Sequence, residues 1–178
     1  YSISKIKKID VPVLLILSNL FYAYWDWRFL GLLWFTIIVD FIIARTICET
    51  DSKKKKKLLL LISLISNFGV LAVFKYFNFF ISSLNHIGIN ISDNLLLINV
   101  VVPVGLSFYI FQSIGYTLDV YRNKQIPVKN LIHYAAFVSY FPQLVAGPIE
   151  KVNKLLPQII APSAITPKII LSGVLLFS

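Results

Sequence analysis

Long apolar stretches separated by short polar ones dominate the pattern of this chain. Five occupy residues 11–25, 29–48, 58–81, 95–118 and 131–149, and the start of a sixth occupies residues 169–178. In lipid a helix satisfies its backbone hydrogen bonds internally, whereas a lone strand cannot, so the long stretches predict helices. The alternation of a membrane β-barrel is absent from the sequence. We therefore predict an all-α polytopic membrane protein, with residues 1–178 in one transmembrane domain.

Composition supports the same class. Hydrophobic residues make up 57% of the chain and charged residues 14%, and the mean hydropathy is +0.77. The net charge of +9 comes from bases beside apolar stretches, where lysines meet anionic lipid, and not from a basic domain. Nucleic acid is thus not expected as a partner. A lone cysteine, Cys48, excludes an internal disulfide framework.

Loop charges predict the orientation. From the N-terminal arm to the loop after the fourth stretch, the counts of Lys plus Arg are 3, 1, 5, 0 and 3. The positive-inside rule then places Tyr1, the run Lys53–Lys57 and Arg122 at the cytoplasm, and the loop around His86 outside. The three lysines after the fifth stretch break this alternation. Its prolines, Pro142 and Pro148, suggest a stretch that enters the membrane and turns back.

The first two stretches and the turn between them carry two further features. Four aromatic residues cluster where the first hairpin turns, which predicts an interfacial aromatic belt; they are Tyr22, Tyr24, Trp25 and Trp27. Asp40 lies too deep to reach water and needs a partner. Arg45 is roughly 140° further round the helix, so we expect that partner on another helix.

The fourth stretch carries a polar face. At about 100° per residue, five of its side chains fall within roughly 80° of one another; they are Gly105, Tyr109, Gln112, Tyr116 and Asp119. They form either a hydrogen-bonded seam between helices, with the glycine allowing close approach, or the wall of a substrate passage. Spacing alone favours the seam.

Other candidates sit near this face. Asp119 and Arg122, three residues apart, can pair as a structural clamp at the cytoplasmic end. In the fifth stretch each proline frees an upstream carbonyl. With the Gln143 amide, such carbonyls either line a passage or belong to a kinked packing helix, and spacing does not separate the two.

No complete active site is visible in this sequence. Only two histidines occur, His86 and His133, and neither has a carboxylate at catalytic or metal-binding spacing. We therefore predict no catalytic residue and no metal ligand in this chain.

Four ordered blocks resemble the membrane-bound O-acyltransferase family, and most closely its bacterial branch that acetylates alginate. They are FYAYWDWRFL, FKYFNFF, PVGLSFYIFQSIGYTLDVYR and FVSYFPQLVAGPI. The resemblance covers nearly the whole chain. It implies several helices around a central funnel, and transfer of an acyl group, acetyl in this branch, from a cytoplasmic donor to an acceptor such as an extracytoplasmic polysaccharide.

The resemblance carries further expectations. The family's catalytic histidine lies downstream of the last block, which would be past Ser178, and Gln143 stands where some members have histidine. One more helix would precede Tyr1, so the chain is expected to be a fragment, inactive alone, of a protein of the bacterial cytoplasmic membrane. The donor would be acetyl-CoA or another activated acyl group, with no tightly bound cofactor. An extracytoplasmic protein is a candidate partner.

A transporter or lipid-scaffold subunit is the alternative function. It would use the same polar face and broken helix to line a cavity without acyl-transfer chemistry. A histidine inside a downstream apolar segment would favour the enzyme.

Overall fold

The chain folds into packed helices. The computed structural model describes residues 11–87, 101–146 and 150–160, and every regular element in these ranges is helical, as predicted. In chain order they are α1 (Val11–Asp26), α2 (Arg28–Glu49), α3 (Lys53–Leu71), a π-helical turn (Ala72–Tyr76), α4 (Phe77–His86), α5 (Leu106–Tyr121), α6 (Leu131–Val138), α7 (Phe141–Ala146) and α8 (Val152–Ile160). Parts of the predicted stretches, residues 95–100, 147–149 and 169–178, lie outside the described residues.

Within the described residues, two helices are long and apolar enough to cross a membrane. They are α2, with 22 residues, and the 24-residue helix Lys53–Tyr76, which joins α3 to the π-helical turn. Helix α1, with 16 residues, is apolar but shorter. The bounds of α1 and α2 lie within one residue of the predicted stretches.

The lysine run belongs to a helix and not to a loop. Helix α3 begins at Lys53, five residues before the predicted apolar stretch, and the Lys56 N–H donates to the Ser52 carbonyl at 3.0 Å. Lysine is a good helix former, so the backbone stays helical past the point where hydrophobicity stops. The predicted start at Leu58 is therefore where the apolar surface begins, and the helix itself begins earlier.

The core lies where α2, α3 and α5 pack on one another, with α6 held between α1, α2 and α8. Helix α6 is unusual because its residues 134–138 are all buried. A helix that is apolar around its whole circumference must have neighbours on every side. This short helix therefore forms the centre of its half of the bundle.

Helix α5 starts later than predicted. The sequence predicts a helix over residues 95–118. In the structure residues 101–105 are non-helical, and α5 begins at Leu106. Gly105 has φ of 71°, a left-handed conformation that most residues avoid, so the helical path stops there. At the other end α5 continues to Tyr121 and stops before Asn123, whose φ is 56°.

Candidate functional site

The polar face of α5 points into the bundle. Its three central side chains, Tyr109, Gln112 and Tyr116, are only 0%, 2% and 3% exposed. The two end members differ from the prediction. Gly105 caps the helix rather than lying on its face, and Asp119 is half-exposed at the other end. The prediction of one inward-facing polar face is right for the middle three.

The fifth predicted stretch is interrupted opposite this face. Instead of one helix over residues 131–149, the structure has α6 and α7, with a break at Ser139 and Tyr140. In an unbroken helix the carbonyl of Phe137 would accept from residue 141, and that of Val138 from residue 142, which is a proline and has no N–H. The break therefore leaves carbonyls that need other donors.

Gln112 supplies one of those donors. Its Nε2 donates to the Phe137 carbonyl at 3.1 Å and lies 3.3 Å from Oε1 of Gln143, which is itself 6% exposed. The structure thus brings together two side chains that the sequence placed in separate stretches. The two amides join α5 to the broken end of α6 and to α7.

Gly105 lets α7 approach the start of α5 closely. A Cβ atom at this position would lie 3.0 Å from the Leu144 carbonyl oxygen and 3.3 Å from the Leu144 Cβ. Both distances are shorter than ordinary van der Waals contact, so a side chain here would push α7 away. This is the close approach that the packing interpretation of Gly105 predicted.

Tyr116 fastens the loop before α6. Its hydroxyl accepts a hydrogen bond from the Val128 N–H at 2.9 Å, and its ring centre lies 4.6 Å from that of Tyr134. Asn130 then begins α6 by accepting from the Ile132 N–H at 2.8 Å. The Tyr116 hydroxyl is therefore occupied by the protein backbone.

The predicted clamp between Asp119 and Arg122 does not form. No ion pair joins these two side chains, both of which lie in the described part of the chain, and Arg122 is exposed. The backbone carbonyl of Asp119 instead accepts from the N–H groups of Lys124, at 2.9 Å, and Gln125, at 3.3 Å. The helix end is closed by its main chain, which removes the need for a side-chain pair.

Asp40 has the partners on another helix that its depth required. The carboxylate is 0% exposed. It accepts from the Ser63 hydroxyl at 2.5 Å and from Nδ2 of Asn67 at 2.8 Å, both on α3. The Ser113 hydroxyl of α5 also reaches it and accepts from the Tyr134 hydroxyl at 3.3 Å. This Asp40 cluster joins α2, α3, α5 and α6.

Three buried hydroxyl groups near α1 have no hydrogen-bond partner in the part of the chain that the structure describes. They belong to Tyr109 on α5 and to Ser18 and Tyr22 on α1. The phenol groups of Tyr22 and Tyr109 lie near each other, without the geometry of a hydrogen bond. Tyr22 was predicted to belong to an interfacial belt, but it is 5% exposed, whereas Tyr24 is 95% exposed.

Neither histidine is fully buried. His86 is exposed at the end of α4, and His133 is half-buried in α6. Among residues 11–87, 101–146 and 150–160, no three His, Cys, Asp or Glu side chains come together as a metal site would require.

Comparison with known proteins gives relatives of one kind. Over 148 residues the chain is 37% identical to a probable alginate O-acetylase of Pseudomonas putida, a match that covers 82% of this chain and 30% of that protein. Over 169 residues it is 32% identical to a peptidoglycan O-acetyltransferase of Helicobacter pylori, covering 82% of this chain and 32% of the relative. A probable alginate O-acetylase of Pseudomonas aeruginosa is 36% identical over 148 residues.

The predicted resemblance to the membrane-bound O-acyltransferase family is confirmed. The chain spans about a third of the length of these O-acyltransferase relatives. No family model and no solved structure matches it.

Sequence reasoning missed the buried hydroxyl groups that α1 contributes. Ser18 and Tyr22 lie four residues apart, on one side of a helix. That spacing of two hydroxyl groups within an apolar stretch was a usable signal. The adjacent exposed aromatic residues obscured it, because they made Tyr22 resemble another member of the belt.

Proposed function

We propose that this chain contributes to a membrane O-acyltransferase that transfers an acetyl group to a hydroxyl of an extracytoplasmic polysaccharide. The observation that carries the proposal is the identity of 32–37% over 82% of the chain to proteins named as acetylating alginate or peptidoglycan. Both of those polymers offer sugar hydroxyl groups. The donor we propose is acetyl-CoA or another activated acyl group, bound from the cytoplasmic side.

The chemistry needs a base and an activated acyl group. The base takes the proton of the sugar hydroxyl, the freed oxygen attacks the acyl carbonyl, and the donor's leaving group departs with a proton. We propose that the base is a histidine outside this chain. The residues of this chain would shape the passage, through the α5 face and the break between α6 and α7, and would exclude water from it.

We propose a multi-pass arrangement in the bacterial cytoplasmic membrane. The Tyr1 end and the Lys53–Lys57 run would face the cytoplasm, and the turn around Trp27 would face outward. The eight residues of α6 span about 12 Å at 1.5 Å per residue, less than half of a bilayer core of about 30 Å. This length supports a segment 131–149 that enters and returns, surrounded by protein.

The partners follow from this arrangement. Exposed apolar side chains on the two long helices, such as Ile38, Ile42 and Ile65, are suited to contact lipid. The acceptor would be reached from outside, where a further protein of the extracytoplasmic space could hold the polysaccharide.

Deletion of the gene tests this function. The O-acetyl content of the cell-wall and extracellular polysaccharides is measured as acetate released by mild base. We expect deletion to abolish acetylation of one polymer, and the wild-type gene to restore it.

Genes carrying His86→Ala or His133→Ala should restore most of the acetylation, because neither residue is the proposed base. A loss of about a thousandfold in turnover at either histidine would place the base here instead. Unchanged acetylation with altered solute or lipid export would favour the transporter.

A further inference from the structure

The buried hydroxyl groups of Tyr22 and Tyr109 lack hydrogen-bond partners among the described residues. Both side chains are buried, at 5% and 0% exposure, and they approach each other from α1 and α5. Ser18, also 0% exposed and unpartnered, lies one turn before Tyr22 on the same side of α1. The other buried polar side chains of the α5 face, Gln112 and Tyr116, bond to backbone groups.

Such groups are costly in a membrane protein. A buried hydroxyl without a partner destabilises the folded protein, and hydrocarbon offers no water to relieve the cost. Two facing hydroxyls can satisfy at most one of their two protons between themselves, so the pair always retains a donor. Unsatisfied buried polar atoms are rare in native proteins, and a catalytic role or a bound water or ion is among their explanations.

The position of the pair points to the outer side of the membrane. Tyr22 lies one turn before Asp26, where α1 ends at the turn that loop charges place outside. Tyr109 lies one turn after Gly105, at the start of α5, whose other end carries Arg122 and Lys124. The two hydroxyls thus belong to the acceptor's half of the bundle.

The local charge indicates the kind of ligand. The charged group that acts on Tyr22 is the carboxylate of Asp26, which is itself paired with Arg28 at 2.7 Å. Because Arg28 is held by Asp26, this ion pair offers no net positive charge to attract the phosphate groups of an activated donor. Phenol hydroxyls both donate and accept, and so match neutral sugar hydroxyl groups.

We propose that Tyr22 and Tyr109, with Ser18, form a binding site for sugar hydroxyl groups of the polysaccharide acceptor. This inference rests on the proposed function and assigns one side of its passage. Bound acceptor supplies the acceptors and donors that the three side chains lack. Gln112 and Gln143 hold the neighbouring wall in place, because their amides join α5 to α7 next to this site.

Tyrosine-to-phenylalanine variants of the full-length protein test the site. In Tyr22→Phe and Tyr109→Phe, we expect the KM for acceptor to rise about tenfold, the scale of one lost neutral hydrogen bond. The value of kcat should stay within about twofold, since neither residue touches the reacting proton in this scheme. The acceptors to use are a soluble alginate oligosaccharide and a soluble peptidoglycan fragment.

Thermal stability separates this role from a structural one. Removing an unpartnered hydroxyl should leave the melting temperature unchanged or higher. Tyr116→Phe, which loses the bond to Val128, should melt at a lower temperature. Tyr24→Phe is the matched control on α1, because its hydroxyl is exposed and its loss should change neither quantity.

An unchanged KM in Tyr22→Phe and Tyr109→Phe would overturn the inference, and a lowered melting temperature would then assign the pair a structural role. Absence of acetyl transfer by the wild-type protein would instead contradict the proposed function. In that case direct binding of the two soluble glycans still tests the site. Wild-type binding that weakens about tenfold in both variants would support it, and absence of binding to either glycan would reject it.

Discussion

Nε2 of Gln112 donates a hydrogen bond to the Phe137 carbonyl at 3.1 Å, across the interface between α5 and the broken end of α6. The bond meets a need that the break creates, because Phe137 has lost the donor it would have in a continuous helix. The contact is buried, with Gln112 2% and Phe137 1% exposed. This bond gives Gln112 a packing role, and we propose that the passage lies beside it, at Tyr22 and Tyr109.

Gln112→Leu should reduce stability without impairing catalysis. Leucine leaves the Phe137 carbonyl unsatisfied, at a cost of about 1–3 kcal/mol. We expect a lower yield of folded protein and nearly normal specific activity per folded molecule. Phe111→Leu is the control, because that side chain is exposed on the opposite side of α5. Ser113 is unsuitable as a control because it takes part in the Asp40 cluster. Normal stability with lost turnover would show that Gln112 lines the passage.

Gly105→Ala should destabilise the junction between α5 and α7. The left-handed conformation costs an alanine about 1–2 kcal/mol, and its Cβ would press on the Leu144 carbonyl at 3.0 Å. Gly115→Ala provides a matched comparison, since no atom lies within 4 Å of the added Cβ. Alanine in that helix interior should stabilise by about 0.5–1 kcal/mol. Thermal unfolding in detergent measures both, and equal effects at the two positions would contradict the close approach.

Asp40→Ala should be among the most destabilising changes in the bundle. It leaves the Ser63 hydroxyl and the Asn67 amide without their acceptor and opens a cavity, for a loss of about 2–5 kcal/mol. Asp119→Ala should change the free energy of unfolding by less than about 0.5 kcal/mol, because its carboxylate forms no ion pair with Arg122. A large loss of stability in Asp119→Ala would instead support the predicted ion pair between Asp119 and Arg122.

Helix periodicity predicted the parts of this fold that depend on hydrophobic surface. It located α1 and α2, the inward face of α5 at Tyr109, Gln112 and Tyr116, and the need of Asp40 for a partner on another helix. These features follow from side-chain polarity at helical spacing, which can be read without knowing the neighbours.

Features that depend on backbone conformation or on distant partners were not predictable in this way. Hydropathy could not show that α3 starts at Lys53, nor that Gly105 takes a positive φ and ends the helical path. Spacing could not show that the Gln143 amide meets the Gln112 amide, because the two residues are 31 positions apart in the sequence. The sequence of α1 alone places Tyr22 in the aromatic belt. Its burial could not be predicted from that sequence, because α5 determines it.

Accessibility labelling tests the orientation. In a Cys48→Ser background, Ser83→Cys lies in α4 near the predicted outer loop, and Ser52→Cys lies just before the lysine run. An impermeant thiol reagent applied to intact cells should label the Ser83→Cys variant and spare the Ser52→Cys variant. The reverse pattern would invert the membrane orientation and place the hydroxyl pair at the cytoplasm.

Acetyl transfer by the purified full-length protein in lipid vesicles is the most direct test of the central claim. Labelled acetyl-CoA is supplied on the side of the lysine run, and a soluble alginate oligosaccharide or peptidoglycan fragment on the other side. We predict base-labile acetyl label on the glycan, dependent on the protein. A protein that forms no acetyl ester on either glycan, yet moves a solute or lipid across the vesicle membrane, would contradict the account.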